Sequence, residues 1–107
     1  MSRIASSADV FAAIADPTRR AILDRLSQGE QPVKQLAKPY SMSLPAISQH
    51  LKVLSEVGLV TQRKVGRERL YRLNPEPLKE VSNWVSHYEK FWQEKLDILG
   101  EYLEENS

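Results

Sequence analysis

Covalent chemistry has little to work with in this chain. None of its 107 residues is cysteine, which excludes disulfides, thiolate metal sites, thiol redox sensing and cysteine nucleophiles. The two histidines, His50 and His87, are far apart. His87 lies near Glu80 and Glu89, but neither acid is three or four positions away, so no helical ligand pair forms. With no glycine-rich phosphate loop and no nucleophile–base pair, the chain reads as a non-enzyme without metal or cofactor. What remains is recognition, and its candidates fall in SLPAISQHLKVLSEV, residues 43–57. Ser43, Ala46, Ser48 and Gln49 are small or uncharged hydrogen-bonding side chains. Short side chains let a helix approach base edges, and Gln or Ser can read them. The plainer alternative is a surface helix of bland composition.

The elements that must position these residues follow from spacing. Leu44, Ile47, Leu51, Leu54 and Val57 recur at intervals of three and four, one face of a helix. At roughly 100° per residue, Gln49 falls opposite that stripe, flanked by Pro45, Lys52 and Glu56. Ser43 is a suitable N-cap, Pro45 sits where a missing N–H costs nothing, and Gly58 suits a left-handed stop. His50 lies beside the stripe, where partial burial and a bond to phosphate are both open. Upstream, Val10, Phe11 and Ile14 indicate a short helix with Ser7 as cap. Asp16-Pro17 restarts the chain into a helix from Pro17 to about Ser27, which buries Ile22, Leu23 and Leu26 and exposes Arg19, Arg20 and Arg25. Arg19 and Arg20 read as solvated or bonded to Asp16, with phosphate contact the less favoured option. Gln31-Pro32 opens a third helix, Val33 to about Lys38, and Pro39 to Met42 form a turn. Two helices joined tightly, the second with a groove-compatible face, make a helix-turn-helix over residues 33–57.

After Gly58 the periodicity changes. Leu59 to Val65 and Arg69 to Leu73 are rich in strand formers and flank Gly66-Arg67-Glu68, a hairpin signal. A basic hairpin after a helix-turn-helix is a wing, here residues 60–73. Arg63, Lys64, Arg67, Arg69 and Arg72, taken as a set after this helix, are expected along the phosphate backbone with Arg67 at the tip; for any one arginine the plainer alternative is a solvated sheet edge that discourages strand pairing. A last helix is expected over residues 76–105. Leu78, Val85, Trp92 and Leu99 repeat every seven residues, beside rows containing Trp84, Phe91 and Ile98, and Val81, Tyr88 and Tyr102, widened by Leu96 and Leu103. That is more apolar surface than one small domain covers, and a second copy about a two-fold axis is the commonest partner. The alternative is a helix folded back on its own domain.

The net charge of +1 hides an asymmetry. Residues 43–73 hold six bases against two acids, and residues 76–105 hold three against eight. One region attracts polyanions and another repels them, as expected of a nucleic-acid binder with a directed face. No stretch approaches the apolar length of a membrane span, and the N-terminus lacks the apolar core of a signal peptide. With the absence of cysteine, this fits a single domain, 1–107, in a reducing cytoplasm.

DPTRRAILDRL, QLA, SLPAISQHLKVLSEVGLV and RKVGRERLYRL, in this order, resemble the arsenic-repressor (ArsR) family of bacterial winged helix-turn-helix regulators. The turn KPYSMSLPAIS and the tryptophan-bearing tail look most like the metal-independent, SdpR-type autorepressor branch. The resemblance implies a homodimer, held mainly by the first and last helices, that binds double-stranded DNA at an inverted-repeat operator and represses transcription. It places base reading at Ser43, Pro45, Ala46, Ser48, Gln49 and His50. Backbone contacts are expected from Lys52, Arg63, Lys64, Arg67 and Arg69. The dimer contacts are expected from Val10, Phe11, Val81, Trp84, Val85, Tyr88, Phe91, Trp92, Leu96, Leu99 and Leu103. The family's metal motifs are missing: Lys34-Gln35-Leu36-Ala37-Lys38 has no thiol, no Asp-x-His exists, and Lys90 stands where the second ligand would follow His87. The inducing signal is not specified. A winged-helix protein-interaction module without DNA binding is the competing possibility, opposed by the basic wing and the small polar helix face.

Overall fold

The computed structural model describes residues 9–39 and 41–105. Its elements run α1 (Val10–Ile14), α2 (Pro17–Leu26), β1 (Gln31–Pro32), α3 (Val33–Ala37), α4 (Leu44–Glu56), β2 (Val60–Val65), β3 (Glu68–Leu73), α5 (Leu78–Ser86) and α6 (Glu89–Glu105). The cap expected at Ser7 falls outside the described residues. Asp9 caps α1, its carboxylate accepting from the Phe11 N–H at 2.8 Å. Asp16 caps α2 through the Arg19 N–H at 3.0 Å, with Pro17 in the first helical position. Ser43 caps α4 through the Ala46 N–H at 3.3 Å. Each cap satisfies a helix-start donor that has no partner within the helix.

The end of α4 sets the direction of the wing. Gly58 adopts φ +80°, its N–H bonds the Ser55 carbonyl at 3.0 Å, and the Leu59 N–H reaches back to the Leu54 carbonyl at 3.0 Å. This is a Schellman stop, with Leu54 and Leu59 both fully buried at its apolar contact. The chain then enters an antiparallel sheet of order β1-β3-β2, in which Val60 opposes Leu73, Gln62 opposes Tyr71, and Val65 opposes Glu68. The strand β1, a two-residue pairing of Gln31 with Tyr71 and Pro32 with Leu70, was not anticipated.

The core joins α1 to α4 and the root of the wing: Val10, Ala13, Ile22, Leu23, Leu26, Leu36, Ala37, Ile47, Leu51, Leu54, Leu59 and Val60. Two expectations about the α4 stripe need correction. Leu44, at the first helical position and ahead of the part that α2 and α3 cover, is 43% exposed. Val57 is half-buried and caps the helix rather than continuing it.

The single last helix expected over residues 76–105 is two helices. The His87 and Tyr88 N–H groups bond the Trp84 and Val85 carbonyls, three residues back, at 3.2 and 2.8 Å. Nearby side chains take up carbonyls too: Ser86 Oγ donates to the Asn83 carbonyl at 2.7 Å, and His87 Nδ1 lies 3.2 Å from that of Trp84. Such local bonds compete with the helical ladder and reset its phase. The seven-residue rows therefore do not run unbroken. Helix α6 projects from the body, and the molecule spans 62 × 41 × 23 Å with a radius of gyration of 18.4 Å. A compact chain of about 100 residues would have about 13 Å. Among the described residues, no helix is long and apolar enough to cross a membrane.

Candidate nucleic-acid interface

Helix α4 presents Ser43, Pro45, Ser48, Gln49, Lys52 and Glu56 to solvent, with Ala46 half-buried at the edge. His50 takes the partial burial that its place beside the stripe left open. It stands three residues after Ile47 and four before Leu54, so it flanks the buried stripe, and its side chain is 18% exposed. Its Nδ1 lies 3.3 Å from Arg19 Nη1 and 4.0 Å from Asp16 Oδ2. His50 therefore ties α4 to the start of α2.

The α2 arginines serve the same junction. Arg19 Nε and Nη2 donate to the Ala13 and Ala12 carbonyls at 2.6 and 3.2 Å. Arg20 Nη1 donates to those of Ile14 and Ala15 at 2.8 and 3.1 Å. These are carbonyls at the end of α1, where a cation is favourable; that of Ala12 also accepts the Ala15 N–H at 3.3 Å. Arg25 is half-buried, not exposed, and donates to the Gln35 carbonyl at 3.0 Å. The Arg19 backbone N–H, first among several causes, holds the Asp16 carboxyl below its ordinary value.

The wing divides its cations between two faces, because side chains alternate along a strand and paired residues share a face. Lys64 opposes Arg69, on the face that carries Gln62 and Tyr71 and, at its root, buried Val60. Arg63 and Arg72 lie on the other face. Arg63 is bound bidentately to Glu30, Nε to Oε2 and Nη2 to Oε1, both at 2.8 Å. The Arg63 hydrogen bond lowers the Glu30 carboxyl and that pairing raises the Arg63 guanidinium. In the free chain Arg63 is thus one arm of an ion pair that ties the wing to the segment before β1. Lys64 and Arg69 are like charges placed directly across a ladder, an arrangement that costs stability unless an anion joins them. Arg67 follows Gly66, whose φ of +62° opens the two-residue turn at the tip.

Two clefts separate the wing from the helices. One of about 290 Å³ is lined by Ser48, Lys52, Gln62 and Tyr71 among others. A second, about 580 Å³, lies between α3 and the wing and includes Lys34, Ser48, Arg67, Arg69 and Tyr71. Tyr71 lines both and is half-buried against the core. Tyr71, Gln62 and Lys34 were missed by residue type, although Tyr71 sits at the two-residue spacing between Arg69 and Leu73 that marks the helix-facing side.

Of the dimer candidates, Val10 is corrected: it is 4% exposed and belongs to its own chain's core. Phe11, Val81 and Val85 are half-buried, and Phe11 meets Trp84 edge-on with centroids 5.7 Å apart. Trp84, Tyr88, Phe91, Trp92, Leu96, Leu99 and Leu103 are 45–61% exposed and leave a long apolar and aromatic face uncovered. Among the described residues, no group of three His, Asp or Glu side chains is placed to hold a metal ion.

The geometry defines a winged helix-turn-helix. A family model for a helix-turn-helix domain matches residues 14–63. The chain is 41% identical over 104 residues to the HTH-type transcriptional regulator Rv2034 of Mycobacterium tuberculosis, covering 97% of this chain and 94% of that protein. It is 36% identical over 80 residues to the transcriptional repressor SdpR of Bacillus subtilis, covering 75% of this chain and 89% of that one. The crystal structure of the ArsR family transcriptional regulator RHA00566 superposes with a TM-score of 0.71 at 40% identity, covering 79% of this chain and 93% of that one. The chain belongs to the ArsR family of helix-turn-helix transcriptional regulators, which are DNA-binding proteins and not enzymes.

Proposed function

We propose that this chain is a cytoplasmic, metal-independent repressor that binds an inverted-repeat operator as a homodimer and regulates its own gene. The observation that carries the DNA reading is the shared side of α4 and the wing: exposed Ser48 lines one cleft with Lys52 and Gln62 and a second with Arg67 and Arg69, and Arg69 lies on the opposite strand face from the Arg63–Glu30 pair. Ser43, Pro45, Ala46, Ser48 and Gln49 would meet base edges, and Lys52, Lys64, Arg67 and Arg69 the phosphates. The uncovered face from Trp84 to Leu103 supports a second copy as its occupant. Metal independence is supported by the absence of cysteine and of the histidine–carboxylate pairs the family's sensors use. The similarity to SdpR supports the repressor reading. The test is a gel shift on the DNA upstream of the chain's own gene against a scrambled duplex at matched salt. Selective retardation supports the proposal, and equal binding or none supports a protein-interaction module instead.

A further inference from the structure

The wider cleft holds a charge arrangement that neither the recognition helix nor the wing explains alone. Lys34 projects into it from α3, while Arg67 and Arg69 line it from the wing. Among the described residues, Glu68 is the only acid on its walls. Arg19, Arg20, Arg25 and Arg63 are committed to carbonyls or to Glu30. The Lys34 side chain, by contrast, has no ion pair or hydrogen bond among the described residues. Three cations around one cleft repel one another, and the chain supplies too little negative charge to offset them. At about 580 Å³ the cleft has the size of a small-ligand site. It also shares Ser48 with the outward face of α4, so a strand whose bases lie on α4 would run its backbone along this opening.

We propose that Lys34 is a DNA-backbone contact that closes the cleft from the α3 side, holding a phosphodiester between itself and the wing's Arg67 and Arg69. This rests on the DNA-binding reading above. Lys34 neutralises phosphate charge without reading sequence, so its contribution is the same on every duplex and falls steeply with salt. Tyr71 lines both clefts and is half-buried against the core, so it forms the wall they share.

The experiment is a salt titration of duplex binding by wild type, Lys34→Gln, Lys34→Arg and Arg69→Gln, on upstream and scrambled DNA. Calorimetry with inorganic phosphate accompanies it. Lys34→Gln is expected to weaken both duplexes by the same factor and to flatten the slope of log affinity against log salt by about 0.9 per bound chain. Lys34→Arg is expected to restore the slope, and inorganic phosphate to show no saturable binding. An unchanged slope for Lys34→Gln, with a flattened one for Arg69→Gln, overturns the inference and leaves the DNA reading standing. Failure of wild type to bind either duplex at low salt overturns both. Saturable phosphate binding that Lys34→Gln abolishes, with DNA slopes unchanged, overturns it in favour of a free-anion site.

Discussion

At the scale of single residues, charge alone does not say which side chain meets DNA; the partner already in place decides. Arg63 and Arg67 are four positions apart in one hairpin, yet Arg63 is held by both carboxylate oxygens of Glu30 while Arg67 stands at the turn. Arg67→Ala is expected to flatten the salt slope on all sequences by about 0.9 per chain, and Arg63→Ala to leave it unchanged, in anisotropy titrations of both variants. Gln49→Ala should cost about 1–3 kcal/mol on the cognate duplex and far less on a scrambled one. Equal losses on the two would remove Gln49 from base reading. Asp16 gives a pH-dependent case. Its folded-state pKa lies below 3.8, so its stabilising effect is complete above that value and is lost as pH falls through the folded one. Asp16→Ala should cost about 1 kcal/mol in urea unfolding at neutral pH. The gap to wild type should close in strong acid.

Among the elements, α4 and the hairpin were legible because each carries a full pattern: a cap, a stripe at helical spacing, a glycine stop, then strand formers around Gly66. The two-residue β1 has no pattern of its own and exists because the edge of β3 offers Tyr71 and Leu70 as partners. The two-sided wing was readable in principle, since residues 63 and 64 must alternate, but taking the five cations as one set concealed it. His50 was similarly readable from its spacing to Ile47 and Leu54. The break after Ser86 was hidden because no proline or glycine marks it; Ser86 and His87 take carbonyls that the seven-residue rows do not reveal. The stop at Gly58 gives an element-level test. A Cβ there would meet Pro77 Cγ at an ordinary 3.6 Å, so the cost of Gly58→Ala is the left-handed backbone. It should lower unfolding free energy by about 1–2 kcal/mol, with Gly58→Asn milder.

For the whole molecule, burial and charge divide the labour. The core and the wing root form a compact body, while α6 carries a row of exposed aromatic and aliphatic side chains away from it, together with a net acidic charge. Trp92, 55% exposed in the single chain, is expected near the centre of the contact between two copies. Trp92→Glu would bury an unpaired charge there at a cost of several kcal/mol. Sedimentation at micromolar concentration should then show a monomer where wild type sediments as a dimer; a wild-type monomer would remove the dimer from the proposal. Two copies related by a two-fold axis must impress that symmetry on the operator. A hydroxyl-radical footprint on the DNA upstream of the chain's own gene tests this most directly. The expected result is protection symmetric about a dyad, with half-site centres about one helical turn apart. A single asymmetric patch, or protection no stronger there than on scrambled DNA, would contradict a two-fold repressor reading sequence through α4.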